Sequence, residues 1–143
     1  ILDQKPAKPK FLNILRPFLT DKVPALKRAE QLIDEGHSIG IYPEGTTNRD
    51  PNNLLRGFYG AAKLSIMKGI PVVPAGIRFP LNDGIRPINE MEPLKIEFGE
   101  AINPPLVCEK PARRDLLAFH AVIMQKIARL SGKSWQPKSS RLK

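Results

Sequence analysis

Apolar positions along this chain change period several times, and each change marks an element. Leu26, Ala29, Leu32 and Ile33 recur at helical spacing, which predicts a helix over residues 23–35. Thr20 or Asp21 can cap it, Pro24 suits its first turn, and Gly36 ends it. Residues 38–42, rich in Ile, predict a strand that stops at Pro43, a residue with no N–H to give to a ladder. A turn cluster at residues 50–53 follows. The run from residue 54 leads into a second helix ending near Lys68-Gly69, where Ala61 and Ala62 permit a close approach to a sheet. Residues 70–77 carry β-branched side chains and read as a buried strand, with Pro74 requiring an edge or a bulge. Leu94, Ile96 and Phe98 alternate as one face of another strand. Leu116, Leu117, Ile123, Met124, Ile127 and Leu130 give the apolar face of a last helix, residues 113–130, stopped by Ser131-Gly132.

These elements imply an α/β fold, a mixed β-sheet flanked by helices. The division expected is a Pro- and Lys-punctuated lead-in at 1–20, a core at 21–131 and a basic tail at 132–143, frayed from Trp135 onward. The lead-in carries an apolar patch, Phe11 to Leu19, which core docking explains more simply than lipid contact. The 143 residues suffice for one modest core, and a hydrophobic fraction of 41% excludes wholesale disorder. No apolar run is long enough to span a bilayer, and the first residues do not resemble a signal peptide.

Charge adds a direction. The net charge is +9, and residues 111–143 hold eight basic groups against one acid, Asp115. Such an end attracts anionic lipid headgroups or nucleic acid, although a solvated basic face explains it equally well. Nucleic acid ranks last as a partner, because no aromatic interleaving or reader motif accompanies the charge. The lone Cys108 permits no internal disulfide and reads as a bystander, a catalytic thiol being the remote alternative. No Cys/His cluster has metal spacing, and no phosphate-binding glycine fingerprint occurs.

The most informative stretch is Tyr42-Pro43-Glu44-Gly45-Thr46-Thr47-Asn48-Arg49. A carboxylate, a flexible glycine, short hydroxyls and a guanidinium sit together where a strand meets a loop. Arg49 offers a planar fork suited to phosphate or carboxylate. This block resembles the third signature block of the phospholipid/glycerol acyltransferase family, which includes 1-acylglycerol-3-phosphate acyltransferases. Many members continue Glu-Gly-Thr-Arg-Ser; here Thr47 stands where that Arg would be, and Arg49 is the nearest guanidinium. Gly57 to Ala61 resembles the family's Gly-x-x-Gly-Ala segment, residues 69–77 its fourth block, and residues 98–102 its Phe-Gly-x-x-Ile segment. The resemblance covers roughly residues 22–135.

The resemblance implies transfer of an acyl chain from acyl-CoA or acyl carrier protein to a lysophospholipid, most readily 1-acylglycerol 3-phosphate. It implies no cofactor beyond that acyl donor, and peripheral attachment to an anionic membrane surface on its cytoplasmic side. Glu44, Gly45, Thr46 and Arg49 are the expected acceptor-binding residues, with Arg56 and Pro74 as weaker candidates. The family's base comes from a His-x-x-x-x-Asp motif. Here Tyr42 stands five residues after His37, and Gln125 five after His120, so neither histidine fits and no catalytic residue is assigned. His120 reads as a hydrogen-bonded packing histidine. The chain opens on Ile1 with only 43 residues before Glu44, so an N-terminally incomplete domain is expected. The competing expectation is a non-catalytic module that binds phosphate or anionic lipid.

Overall fold

A computed structural model describes residues 24–137. The expected lead-in, the Thr20 or Asp21 cap and the last six tail residues lie outside the described residues. In chain order the elements are α1 (Ala25–Asp34), α2 (Gly60–Lys68), β1 (Ala75–Arg78), β2 (Lys95–Phe98) and α3 (Arg113–Ser131). Helices and strands are both present, as expected of an α/β chain. The sheet among the described residues is a single antiparallel pair, with Ala75 opposite Phe98 and Arg78 opposite Lys95.

The core forms where α2 crosses α3. Ala62, Ile66, Phe119 and Ile123 are buried together, and Val72, Ile102, Leu116 and Ile127 pack against them. Ala62 supplies little bulk, so it lets the helices approach closely. Two of the expected apolar positions of α3, Ile123 and Met124, are almost fully buried, whereas Leu117 is partly exposed. The α3 helix stops where the sequence says it should. Gly132 takes φ 71°, Gly132 N–H donates to Arg129 O and Lys133 N–H to Ala128 O. That paired bonding satisfies two carbonyls that the helix itself leaves open. The α1 helix has no buried residue and no side-chain cap. It is tied to α2 by Lys68 Nζ, 2.7 Å from Asp34 Oδ2.

Two expectations about strands need correction. Residues 38–42 form no strand: among the described residues none of their N–H groups enters a ladder, and an extended segment is a strand only when a neighbour pairs with it. The strand expected over 70–77 is interrupted. Val72 makes one isolated bridge to Ile102, and continuous pairing starts only at Ala75, after the second proline. The strand expected from the alternation at Leu94, Ile96 and Phe98 is present, and that face is exposed. Phe98 is 71% exposed and Ile96 50%. The register puts Gly76, Arg78, Lys95 and Glu97 on the other face, which meets α3.

Gly76 explains that choice of face. A Cβ there would lie 2.4 Å from the Leu130 carbonyl carbon and from Ser131 N. The backbone of α3 therefore rests directly on β1. Arg78 reinforces the contact, with Nε donating to Leu130 O at 2.6 Å.

Candidate functional site

The segment from Pro43 to Phe58 is a closed loop held by its own polar groups. Phe58 N–H donates to Pro43 O at 2.7 Å, joining the two ends of the loop. Glu44 holds the middle: its Oε2 accepts from Leu55 N–H at 2.7 Å and from Asn48 Nδ2 at 2.8 Å. Asn48 Nδ2 also reaches Asn53 O at 2.8 Å. A carboxylate binding a backbone N–H and an amide forms charge-assisted bonds, stronger than neutral ones. Gly45 turns the chain at φ 66°, and a Cβ there would strike the Phe58 ring at 2.6 Å.

Asp50 builds the next turn. Its Oδ1 accepts from Asn52 N–H at 2.8 Å and Asn53 N–H at 3.0 Å. The Asn52 N–H and the Asn53 amide hold its carboxyl below the ordinary value of 3.8.

The loop is also clamped from behind by residues that no local sequence signal indicated. The Arg56 carbonyl receives two ring N–H groups: His120 Nε2 at 3.1 Å and Trp135 Nε1 at 3.2 Å. A carbonyl only accepts, so Nε2 is the protonated ring nitrogen of His120. The His120 ring stands edge-on to Tyr59 at 4.9 Å and to Trp135 at 5.8 Å. Gly57 allows this closeness, since a Cβ would come within 3.0 Å of His120 Cε1. Ser134 completes the clamp by exchanging backbone bonds with the 52–54 segment. Trp135, where fraying was expected to begin, instead bonds the signature loop through its ring N–H.

The placement of the expected site residues can now be stated. Glu44, Gly45, Thr46, Arg49 and Arg56 all lie on the one loop. Glu44 is half-buried and committed to the loop's own donors. Thr46 is exposed at the tip. Arg49 is exposed, paired with Glu90, and lines an open cavity of about 510 Å³ together with Asp50, Asn53, Ile85 and Pro87. The Arg56 side chain is exposed while its carbonyl is clamped. Pro74 is set apart: it is fully buried, and its carbonyl accepts from Gly99 N–H at 2.9 Å. Two exposed aromatics flank the loop, Tyr42 at 79% and Phe58 at 70%.

An exposed Arg–carboxylate pair such as Arg49–Glu90 is worth about 0–1 kcal/mol. A guanidinium–phosphate contact, with two parallel charge-assisted bonds, is worth about 1.5–3 kcal/mol. A phosphate reaching Arg49 competes with Glu90 for the same guanidinium. Neither histidine is placed to act as a base at the loop. His120 is buried behind it, and His37 is exposed beside Glu35 at 3.7 Å. No cluster of metal-binding side chains occurs among the described residues.

Residues 13–78, which contain the Glu44–Arg49 block, match the family model described as Acyltransferase. That segment is similar to the acyltransferase family. A Bacillus subtilis protein, 1-acyl-sn-glycerol-3-phosphate acyltransferase, is 26% identical over 127 residues, 86% of this chain. The chain spans 61% of the length of that relative. No solved structure matches the chain.

Proposed function

We propose that this chain forms the acceptor-binding part of a glycerolipid acyltransferase, which moves an acyl group from acyl-CoA or acyl carrier protein to 1-acylglycerol 3-phosphate or a related lysophospholipid. One observation carries the reading: Arg49 lines an open cavity, on a loop that Glu44 holds together through two hydrogen bonds. In this division of labour Arg49 takes the acceptor phosphate. Glu44 and Gly45 fix the loop's shape, Thr46 offers a hydroxyl at its tip, and Arg56 adds positive charge. Pro74 acts through packing beneath β1. A preset cationic site lowers the entropic cost of bringing the acceptor hydroxyl to the thioester. The name of the Bacillus subtilis relative supports the same acceptor class.

We further propose that the protein works at an anionic membrane surface, peripherally and on its cytoplasmic side. Support comes from the basic excess of residues 111–143 and from the exposed Tyr42 and Phe58 beside the loop. No helix among the described residues is long and apolar enough to cross a membrane.

A second reading has its own support. Transfer needs a base for the acceptor hydroxyl, and the placement of His37 and His120 favours a module that binds phosphate or anionic lipid without catalysis. The experiment is to measure acyl transfer to 1-acylglycerol 3-phosphate by the natural full-length product and by this chain, side by side. Activity of the longer protein alone supports the first reading. Inactivity of both, with retained and Arg49-dependent lysolipid binding, supports the second.

A further inference from the structure

A second cavity, of about 520 Å³, lies across the Pro51–Asn52 ridge from the one that Arg49 lines. Arg78, Lys95 and Lys133 contribute to its wall, together with Phe79 and Asp83. Three features leave the cations of this wall short of negative charge.

First, Arg78 and Lys95 are register partners across β1 and β2. Like charges directly opposite on a sheet repel. Glu97 pairs with Arg78 Nε at 3.0 Å, and that Nε and Nη2 also bond the Leu130 and Arg129 carbonyls. None of those bonds uses Nη1. Second, Lys133 meets a carbonyl, not a carboxylate: its Nζ donates to Asp50 O at 2.6 Å. Burial pushes its pKa down, against the pull of Glu44 and Asp50. A half-buried ammonium without a carboxylate in contact gains from an incoming anion. Third, the acid in the wall is already occupied. Asp83 Oδ1 accepts from Ile85 N–H at 2.9 Å and Arg86 N–H at 3.0 Å.

The size decides what kind of anion fits. A cavity of this volume falls in the range that holds a nucleotide-sized ligand, and is large for one phosphate ion. We propose that this cavity binds the phosphate-bearing nucleotide end of a coenzyme A-type acyl donor, with Arg78, Lys95 and Lys133 taking its phosphates. The donor's identity rests on the transferase reading above; the anion site rests on the cavity and its three cations. The two cavities then hold the two substrates on either side of one ridge, and neither needs the other's cations.

Calorimetric titration of coenzyme A into the chain tests this, with glycerol 3-phosphate titrated in parallel. Lys95→Met and Lys133→Met are each expected to weaken coenzyme A binding about tenfold, the loss of one charge-assisted phosphate bond. Arg49→Ala is expected to change it less than about twofold, since Arg49 lines the other cavity. Lys95 is exposed at the start of β2, so its substitution keeps the fold even if that of Lys133 does not. Coenzyme A that fails to bind at millimolar concentration overturns the proposal. So does binding that both lysine variants leave unchanged, including the case in which only a carrier protein delivers the acyl group. Failure of glycerol 3-phosphate alone to bind counts against the acceptor reading and leaves the second cavity standing.

Discussion

Replacing Glu44 separates two roles that a signature-block glutamate can play. In the structure its Oε2 serves Leu55 N–H at 2.7 Å and Asn48 Nδ2 at 2.8 Å. Glu44→Ala strands the Leu55 N–H and removes one of two partners of Asn48, which keeps Asn53 O. A hydrogen bond to a charged group contributes about 1.5–3 kcal/mol; the Asn48 bond is part-buried and the Leu55 bond exposed, which puts both at the low end. The expected loss is about 2–3 kcal/mol in all, given that Asn48 is only partly deprived. For a chain of this size that is about 6–15 °C in Tm, taking roughly 3–5 °C per kcal/mol. Glu44→Gln retains a carbonyl oxygen for Leu55 N–H and should lose only about 1 kcal/mol. Urea and thermal unfolding followed by circular dichroism measure both. Arg49→Ala belongs beside them, because its exposed pair with Glu90 predicts a stability change under about 1 kcal/mol. The reasoning fails if Glu44→Ala unfolds like the parent while weakening acceptor binding as much as Arg49→Ala. Glu44 would then touch the acceptor and not the loop.

Two further outcomes follow from the packing and the titrating groups. Gly76→Ala forces a methyl group into the α3 backbone, 2.4 Å from Ser131 N, and should cost about 3 kcal/mol or more because backbone cannot swing aside. An unchanged Tm would show β1 and α3 to be further apart than described. Asp50 has a depressed pKa, so its contribution is present above the ordinary value of 3.8 and is lost as pH falls through its lower folded value. Asp50→Asn keeps an acceptor oxygen without the titration. The stability gap between parent and variant should therefore shrink as pH drops below that ordinary value, and a gap independent of pH would remove the carboxylate from the turn. Asp83 is depressed in the same direction, so the comparison must be made between variant and parent at each pH.

Helices were more legible in this sequence than strands, for a physical reason. A helix satisfies its hydrogen bonds within one segment, so the spacing of Leu116, Ile123, Met124 and Ile127 and the stop at Gly132 define α3 almost to the residue. A strand needs a partner, and residues 38–42 have none among those described. The alternation at Ile96 and Phe98 announced a face but not which side of the hairpin α3 would cover. That was decided by Gly76, which allows the backbones to meet. The loop was visible through its residue types. Its mechanics were not, because Trp135, His120 and Glu90 reach it from distances of 41 to 79 residues along the chain. Pro74 shows the converse: a residue of a motif read in sequence can lie buried apart from the signature loop in space.

The central claim is that Arg49 reads the acceptor phosphate in competition with Glu90. Its most direct test is the affinity of the chain for glycerol 3-phosphate, measured by calorimetry for the parent, Arg49→Ala and Glu90→Gln. The account predicts opposite shifts. Arg49→Ala should weaken binding about tenfold or more. Glu90→Gln should tighten it by roughly two- to fivefold, the value of an exposed ion pair that no longer has to be broken. Equal affinities in the parent and Arg49→Ala would contradict the account and move the phosphate away from the signature loop.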